Sequence, residues 1–399
     1  MTEIAKAAGT AERLVMAGVE IARDQGLPAL TARALADRAG TSPSALNYHL
    51  GGREALIERV LHEAREAAAN WRTQQLAAIR DEGGGAPAWI SPASILAAAI
   101  GDRVTTFRTW SLLLAEFEFE ADAGNIPALA QAIGDEVAAT AKFWVDAALA
   151  LGESPEHAAV WSDLAIGLDM LMLGDEPLAE KAPWIIDALG RLHARLRGLA
   201  APSLLERPLG AAERLSGVAP SSESAQKLVD AALQIIGEKG ADRLTQREVA
   251  AAAGLSLAAT TYFFRTKADL VAAAFHELHR QVSAQALAAS ETGRMLFSGT
   301  LEEEGDRASW RVRAMEALQL VSARDVSIAP IAQELRLTRG ATSIVWLRNQ
   351  GLVVDRLDAF VFSTAMSGVV QRTRFTGAGA RRLAMGEGQA RLLRAMFKV

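Results

Sequence analysis

The chain has 399 residues, with 42 basic against 47 acidic side chains, no cysteine, 50% hydrophobic residues and 6% aromatics. At roughly 100–200 residues per domain this predicts two to four compact units, and the lack of cysteine excludes disulfides, thiolate metal sites and cysteine nucleophiles. A net charge of −5 excludes a protein coated in basic surface, although a local basic patch remains compatible with it.

The N-terminal stretch MTEIAKAAGTAERL shows no basic region followed by an apolar run, so no secretory signal is expected. No run approaches ~18 apolar residues, so no membrane span is expected and the chain reads as cytoplasmic. Ala, Leu, Arg and Glu dominate, and apolar residues recur at three- and four-residue spacing, as in Leu14, Ala17, Gly18 and Ile21. The expected fold class is all-α. A first helix over about 11–24 ends at Gly26. Thr31 is placed to cap a second helix, TARALADRAG, Gly40 supplies a tight turn, and Ser42 is placed to cap a short third helix to Leu50. A long helix follows from Arg53. Two short helices joined by a glycine turn make a helix-turn-helix, whose second helix enters the DNA major groove. Further along, EFEFE at 116–120 alternates, yet its Ala-rich surroundings favour helix, with Glu116 and Glu120 on one solvated face.

The segment 200–223 carries Pro202, Pro208, Gly210, Gly217, Pro220 and Ser221-Ser222, and reads as a linker, with a helical turn in LLERPLGAAERL. Beyond it the chain repeats itself. An ungapped offset of 214 pairs Leu14 with Leu228, Thr31 with Thr245, Ala39-Gly40 with Ala253-Gly254, Ser42 with Ser256, Tyr48 with Tyr262 and His62-Glu63 with His276-Glu277. Later the offset becomes 201–202, pairing Trp144 with Trp346, Ser162 with Ser363 and Gly167 with Gly368. The second copy therefore repeats the helix (224–238), the Gly240 cap, the Thr245-capped helix, the Gly254 turn, the Ser256-capped helix to Phe264 and the long helix from Lys267. The expected domains are a head at 1–70, a helical body at 71–199, the linker at 200–223, a second head at 224–285 and a second body at 286–399.

TARALADRAGTSPSALNYHLGGREAL and TQREVAAAAGLSLAATTYFFRTKADL resemble the DNA-binding domain of TetR-family transcriptional regulators. Each half is also the size of one full TetR-type subunit. Because such regulators bind DNA as two-fold dimers, the resemblance implies two fused units on one chain, forming an intrachain pseudo-dimer; a further homodimer of the fused chain stays open. Double-stranded operator DNA and a small-molecule effector are the implied partners, with no membrane partner and no cofactor. The commoner family behaviour is repression relieved by the effector.

Thr31 and Thr245 open a helix, where free N–H groups favour a phosphate. Tyr48, Tyr262, Arg53 and Lys267 offer hydroxyls and charge to the backbone, joined in the first copy by His49. The resemblance assigns base contacts to Pro43, Ser44, Ala45 and Asn47, and to Leu257, Ala258, Ala259 and Thr261. Small and apolar groups suit thymine methyls, and Asn47 suits adenine. Leu50, Asn47 and Gly51-Gly52 depart from the family pattern in the first copy. Between Thr31 and Arg53 the local charge is +2, and between Arg243 and Lys267 it is +3, which makes the second head the better expected reader. Because the two recognition helices differ, two unlike half-sites about one turn apart are expected.

In the bodies, 156–173 with 183–197 and 355–375 with 379–397 are expected to pack as a four-helix bundle, with Ala165–Gly167 and Ser367-Gly368 permitting close approach. Six of the eight tryptophans lie in the first half, Trp89 among them. An aromatic ligand pocket is expected there, lined by some of Phe107, Trp110, Phe117, Trp144 and Trp161, against the alternative of plain core packing. His276 and His279 sit at i, i+3 but lack further ligands, and read as surface histidines. No Ser-His-Asp signature, P-loop or nucleotide-binding glycine motif appears, so an enzyme is not expected. The remaining alternative is a small-molecule sensor or scaffold that does not bind DNA, with one or both heads degenerate.

Overall fold

The computed structural model describes residues 9–85, 91–199, 222–292 and 306–399. Trp89 and nearly all of the expected linker, with its helical turn, lie outside the described residues. The regular structure is helical, with no strand among the described residues. The first unit runs through α1 (Thr10–Gln25), α2 (Ala32–Ala39), α3 (Ser44–Leu50), α4 (Arg53–Gly85), α5 (Pro92–Arg103), α6 (Arg108–Asp122), α7 (Ala130–Ala150), α8 (Pro155–Leu171) and α9 (Leu178–Arg197). The second runs through α10 (Glu223–Lys239), α11 (Gln246–Ala252), α12 (Leu257–Phe263), α13 (Lys267–Thr292), α14 (Asp306–Ser322), α15 (Ala329–Thr338), α16 (Ala341–Asn349), α17 (Arg356–Arg372) and α18 (Ala378–Phe397). No described helix is long and apolar enough to cross a membrane.

Both long helices, α4 and α13, continue unbroken past the head–body boundaries expected at 70 and 285, so each head is joined to its body by a continuous helix. Helix α9 starts at Leu178, and Pro183 stands inside it rather than at its start; proline at a first helical position is only a preference. The repeat is also imperfect. Where the first unit has the single helix α7, the matching stretch of the second is split into α15 and α16 at Arg339-Gly340. Gly340 has φ +83°, and a Cβ there would lie 2.6 Å from the Ala359 backbone of α17. Only glycine lets the chain turn so close to its neighbour.

Helices α8 and α17 form the most extensive helix pairing, joined by α9 and α18. Gly167 and Gly368 make this approach possible. A Cβ on Gly167 would lie 2.0 Å from the Thr364 carbonyl oxygen, and one on Gly368 would lie 1.8 Å from that of Asp163. Arginines of one unit clamp carboxylates of the other around this crossing. Asp163, fully buried, takes Arg372 and Arg391 at 2.6 Å each. On the other side, Asp355 and Asp358 take Arg191 (2.6 and 3.2 Å), and Asp358 also pairs with Arg195. The apolar cores ignore the sequence boundary as well. One runs from the first head into Leu347, Phe360, Phe362 and Leu392 of the second unit, and the other joins the second head to Leu112, Phe119 and Leu173 of the first.

Candidate nucleic-acid interface

Each head is built by local chemistry that the two copies share. Thr31 Oγ1 accepts from the Ala34 N–H at 3.2 Å, and Thr245 Oγ1 from the Glu248 N–H at 3.2 Å, capping α2 and α11. Gly40 and Gly254 turn the chain at φ +63° and +67°. Leu14, Leu35 and Leu56 in the first head, and Leu228, Val249 and Leu270 in the second, fill the small core behind these turns. The third helices differ. Ser256 Oγ caps α12 through the Ala259 N–H at 3.1 Å, whereas α3 follows Pro43 with no side-chain cap, and the Ser42 hydroxyl pairs with that of Ser44 at 2.9 Å. The expected Ser42 cap is thus absent, because the Ser42 hydroxyl is engaged by the Ser44 hydroxyl instead of a backbone N–H of α3.

The expected contact residues fall into three groups. Pro43, Ser44, Asn47, Tyr48 and His49 of α3 and its entry are exposed, as are Thr31, Thr245, Leu257, Ala258, Thr261 and Tyr262. Tyr48 and Tyr262 are 85% and 81% exposed, a large apolar ring on each head with no core role. Ala45 is buried against the head core, and Ala259 is half-buried. Arg53 and Lys267 are exposed but tied back. Arg53 donates to the Leu30 and Leu27 carbonyl oxygens at 2.8 and 3.1 Å, and Lys267 to that of Asp242 at 2.7 Å. In this conformation both brace the loop after the first helix. Arg38 is likewise held, by Glu20 at 2.9 Å and Asp24 at 3.6 Å. Sequence reasoning left out Arg247 and Arg265 as individual contacts. Both are exposed cations without a described partner on the second head, and their charge was the available signal.

The largest departure from expectation lies beneath the heads. Glu116 and Glu120 are buried at 3% and 2% exposure, not solvated. They lie one turn apart on α6, and each holds a different head. Glu116 accepts from the Leu27 N–H at 3.1 Å and pairs with Arg324 of the second unit at 2.5 Å. Glu120 pairs with Arg243 of the second head. Arg324 continues to the Arg23 and Ala22 carbonyl oxygens, at 2.9 and 3.2 Å, at the end of α1. The equivalent loops of the two heads meet here, since a Cβ on Gly26 would lie 2.6 Å from Asp242 Oδ2. Burial pushes the Glu120 carboxyl up to about 7, against the pull of Arg243.

The five aromatic residues expected to line a pocket are core. Phe107, Phe117, Trp144 and Trp161 are buried and Trp110 is half-buried. Trp71 stacks on Phe107 at 5.4 Å and meets Trp144 at 6.2 Å, with Arg103 over the Trp71 ring at 5.1 Å. None of the five lines either of the body cavities described below. His279 is also buried rather than on the surface, which lowers its pKa. No group of three metal-ligating side chains occurs among the described residues.

The family of bacterial regulatory proteins called the tetR family matches the chain twice, at residues 14–60 and 228–274. Those spans contain both helix-turn-helix heads. Among solved structures, that of the multidrug binding protein EbrR complexed with imidazole is similar at 24% identity, with a TM-score of 0.28, covering 41% of this chain and 88% of that one. No curated protein matches. Each head thus carries the helix-turn-helix of the tetR family of bacterial regulatory proteins, and the two copies stand in tandem on one chain.

Proposed function

We propose that the two units act as an intrachain pseudo-dimer reading an operator with two unlike half-sites, and that a small-molecule effector relieves repression. The observation that carries this is the pairing of two different reading helices above one shared support. Helix α3 presents Ser44, Asn47, Tyr48 and His49, while α12 presents Leu257, Ala258, Thr261 and Tyr262. Both heads rest on α6 through Glu116 and Glu120. The proposed domains are the two heads, the two bodies and the linker between them, with α4 and α13 carrying each head into its body. Pro43, Ala45 and Ala259 complete the proposed reading surface, Ala45 by backbone shape since its side chain is buried. Thr31, Thr245, Arg53 and Lys267 are proposed to approach phosphate, the last two after releasing their loop carbonyls. Arg247 and Arg265 support the second head as the stronger phosphate binder. Relief by effector is supported by α14, which lines a body cavity, packs on α10 and leads to Arg324 beneath the first head.

The test is footprinting on DNA selected from random sequence, with Asn47→Ala and Thr261→Ala. Each variant is expected to weaken one half-site, by about 1–3 kcal/mol where a bidentate base contact is lost. A perfectly palindromic preferred site would refute the reading.

A further inference from the structure

The two bodies contain a pair of cavities related by the internal repeat. The first, of about 50 Å3, is lined by Ser111, Glu118, Asp169 and Met170 among others. The second, of about 80 Å3, has Val312, Gln319, Val370 and Gln371 at the positions about 201 residues later (Met170 to Gln371). Met170 and Gln371 line both. The cavities are therefore mates across the α8–α17 crossing, and their charges have diverged. In the first, Arg103 and Asp169 pair at 2.6 Å, which leaves Glu118 as the charged group in no ion pair. Burial pushes its carboxyl up to about 7. In the second, Glu316 is paired with Arg374, which leaves Arg339.

Arg339 reaches this position because α15 stops at the Arg339-Gly340 break, where the first unit continues as α7. Its guanidinium donates to the Ser363 carbonyl oxygen at 3.1 Å and to the Ser367 hydroxyl, and its buried Nε has no partner. Burial alone lowers its pKa, to about 10. A largely enclosed cation with only neutral partners costs stability unless a counter-charge joins it. Met170, Met315 and Val312 supply an apolar wall around it, beside Gln319, Gln371 and the Glu316 carboxylate that Arg374 holds.

We propose that the second cavity binds a small organic anion, a short-chain carboxylate, whose oxygens meet Arg339 while its hydrocarbon lies against Met315 and Val312. One unpaired guanidinium matches one carboxylate, whose planar oxygens suit its fork of donors. Gln319 is uncharged where the mate has Glu118, and the one cation lining the first cavity, Arg103, is already paired with Asp169, so that cavity lacks the free counter-charge the ligand needs. The assignment deepens the effector reading above, but binding is measured without DNA, so its failure leaves the reading of DNA by the heads standing.

The experiment is calorimetric titration of the full chain with butyrate and, separately, butylammonium. Butyrate is expected to bind and butylammonium not to bind at this site. Arg339→Met is expected to weaken butyrate at least tenfold. Gln319→Glu keeps the guanidinium but supplies an internal carboxylate, and is expected to weaken butyrate at least tenfold, with thermal melting confirming that it is folded. No butyrate binding by the natural chain, or undiminished binding by a folded Arg339→Met or Gln319→Glu variant, overturns the assignment.

Discussion

The crossing of α8 and α17 makes a severe demand on two single atoms. In Gly368→Ala the added Cβ would start 1.8 Å from the Asp163 carbonyl oxygen, and real Cβ contacts essentially never fall below 3.0 Å. The helices must then part by about 1.2 Å, the difference between the two figures. The obstacle is backbone on a neighbouring helix, so no side-chain rotation relieves it. A gap of 0.5–1 Å already forfeits a quarter to a half of each dispersion contact along the seam. Parting would also stretch the Arg372 and Arg391 contacts that neutralise buried Asp163. Overpacking of a core costs about 1–3 kcal/mol, and loss of the arginine clamps adds to it. The expected destabilisation is therefore about 3 kcal/mol or more. Gly167→Ala, at 2.0 Å from the Thr364 oxygen, should behave alike, with the double variant non-additive because both sites share one seam. Gly386→Ala is the control. It lies in α18 with nothing within 4 Å, so helix propensity predicts a gain of roughly 0.5–1 kcal/mol. Urea denaturation followed by circular dichroism measures all four. If Gly368→Ala unfolds at the same urea concentration as the natural chain, the close-packed crossing between units is wrong.

Stability should also depend on pH through the buried carboxyls. Burial raises Glu118 to about 7, so the folded state keeps a proton that the unfolded chain releases from 4.5 upward. Stability from this group is full below that pH and falls as pH rises to about 7. Glu118→Gln should flatten the fall and raise stability at pH 8 by at most ~3 kcal/mol; equal slopes in thermal melts across pH 5–8 would count against it. Arg247→Ala should lower the slope of log affinity against log salt by about 0.9, the loss of one phosphate contact, and an unchanged slope in gel-shift titrations would remove Arg247 from the interface. Arg324→Ala unpairs buried Glu116 and frees the end of α1, so protease cleavage in the first head should rise; protection equal to the natural chain would sink that role.

The heads were legible in the sequence because their determinants are local. Thr31, Gly40, Thr245, Gly254 and Ser256 act on backbone within three or four residues of themselves, and the structure uses each one as the spacing suggests. The small residues at Gly167 and Gly368 were legible for a related reason, since a glycine in a buried helix allows close approach whatever the partner. Glu116 and Glu120 were not. Helical periodicity places both on one face of α6, but whether that face meets water or a second unit depends on Arg324 and Arg243, which lie far along the chain. The same limit applies to the tryptophans. Composition shows that the first body is aromatic, whereas only packing shows that Trp71, Phe107, Phe143 and Trp144 fill one another's space. Arg339 was missed because a lone Arg-Gly pair in a helical pattern is a weak break signal, and the break is what turns this side chain into a cavity.

We propose that the chain holds two unlike DNA readers in a fixed pairing. The most direct test replaces residues 43–50 by residues 257–264, so that both heads carry the α12 face, and selects binding sites from random DNA for this chain and the natural one. The natural chain should select an asymmetric site with two unlike half-sites, and the replacement a palindrome built from its second half-site. A palindrome already selected by the natural chain, or the same site selected by both, would contradict it.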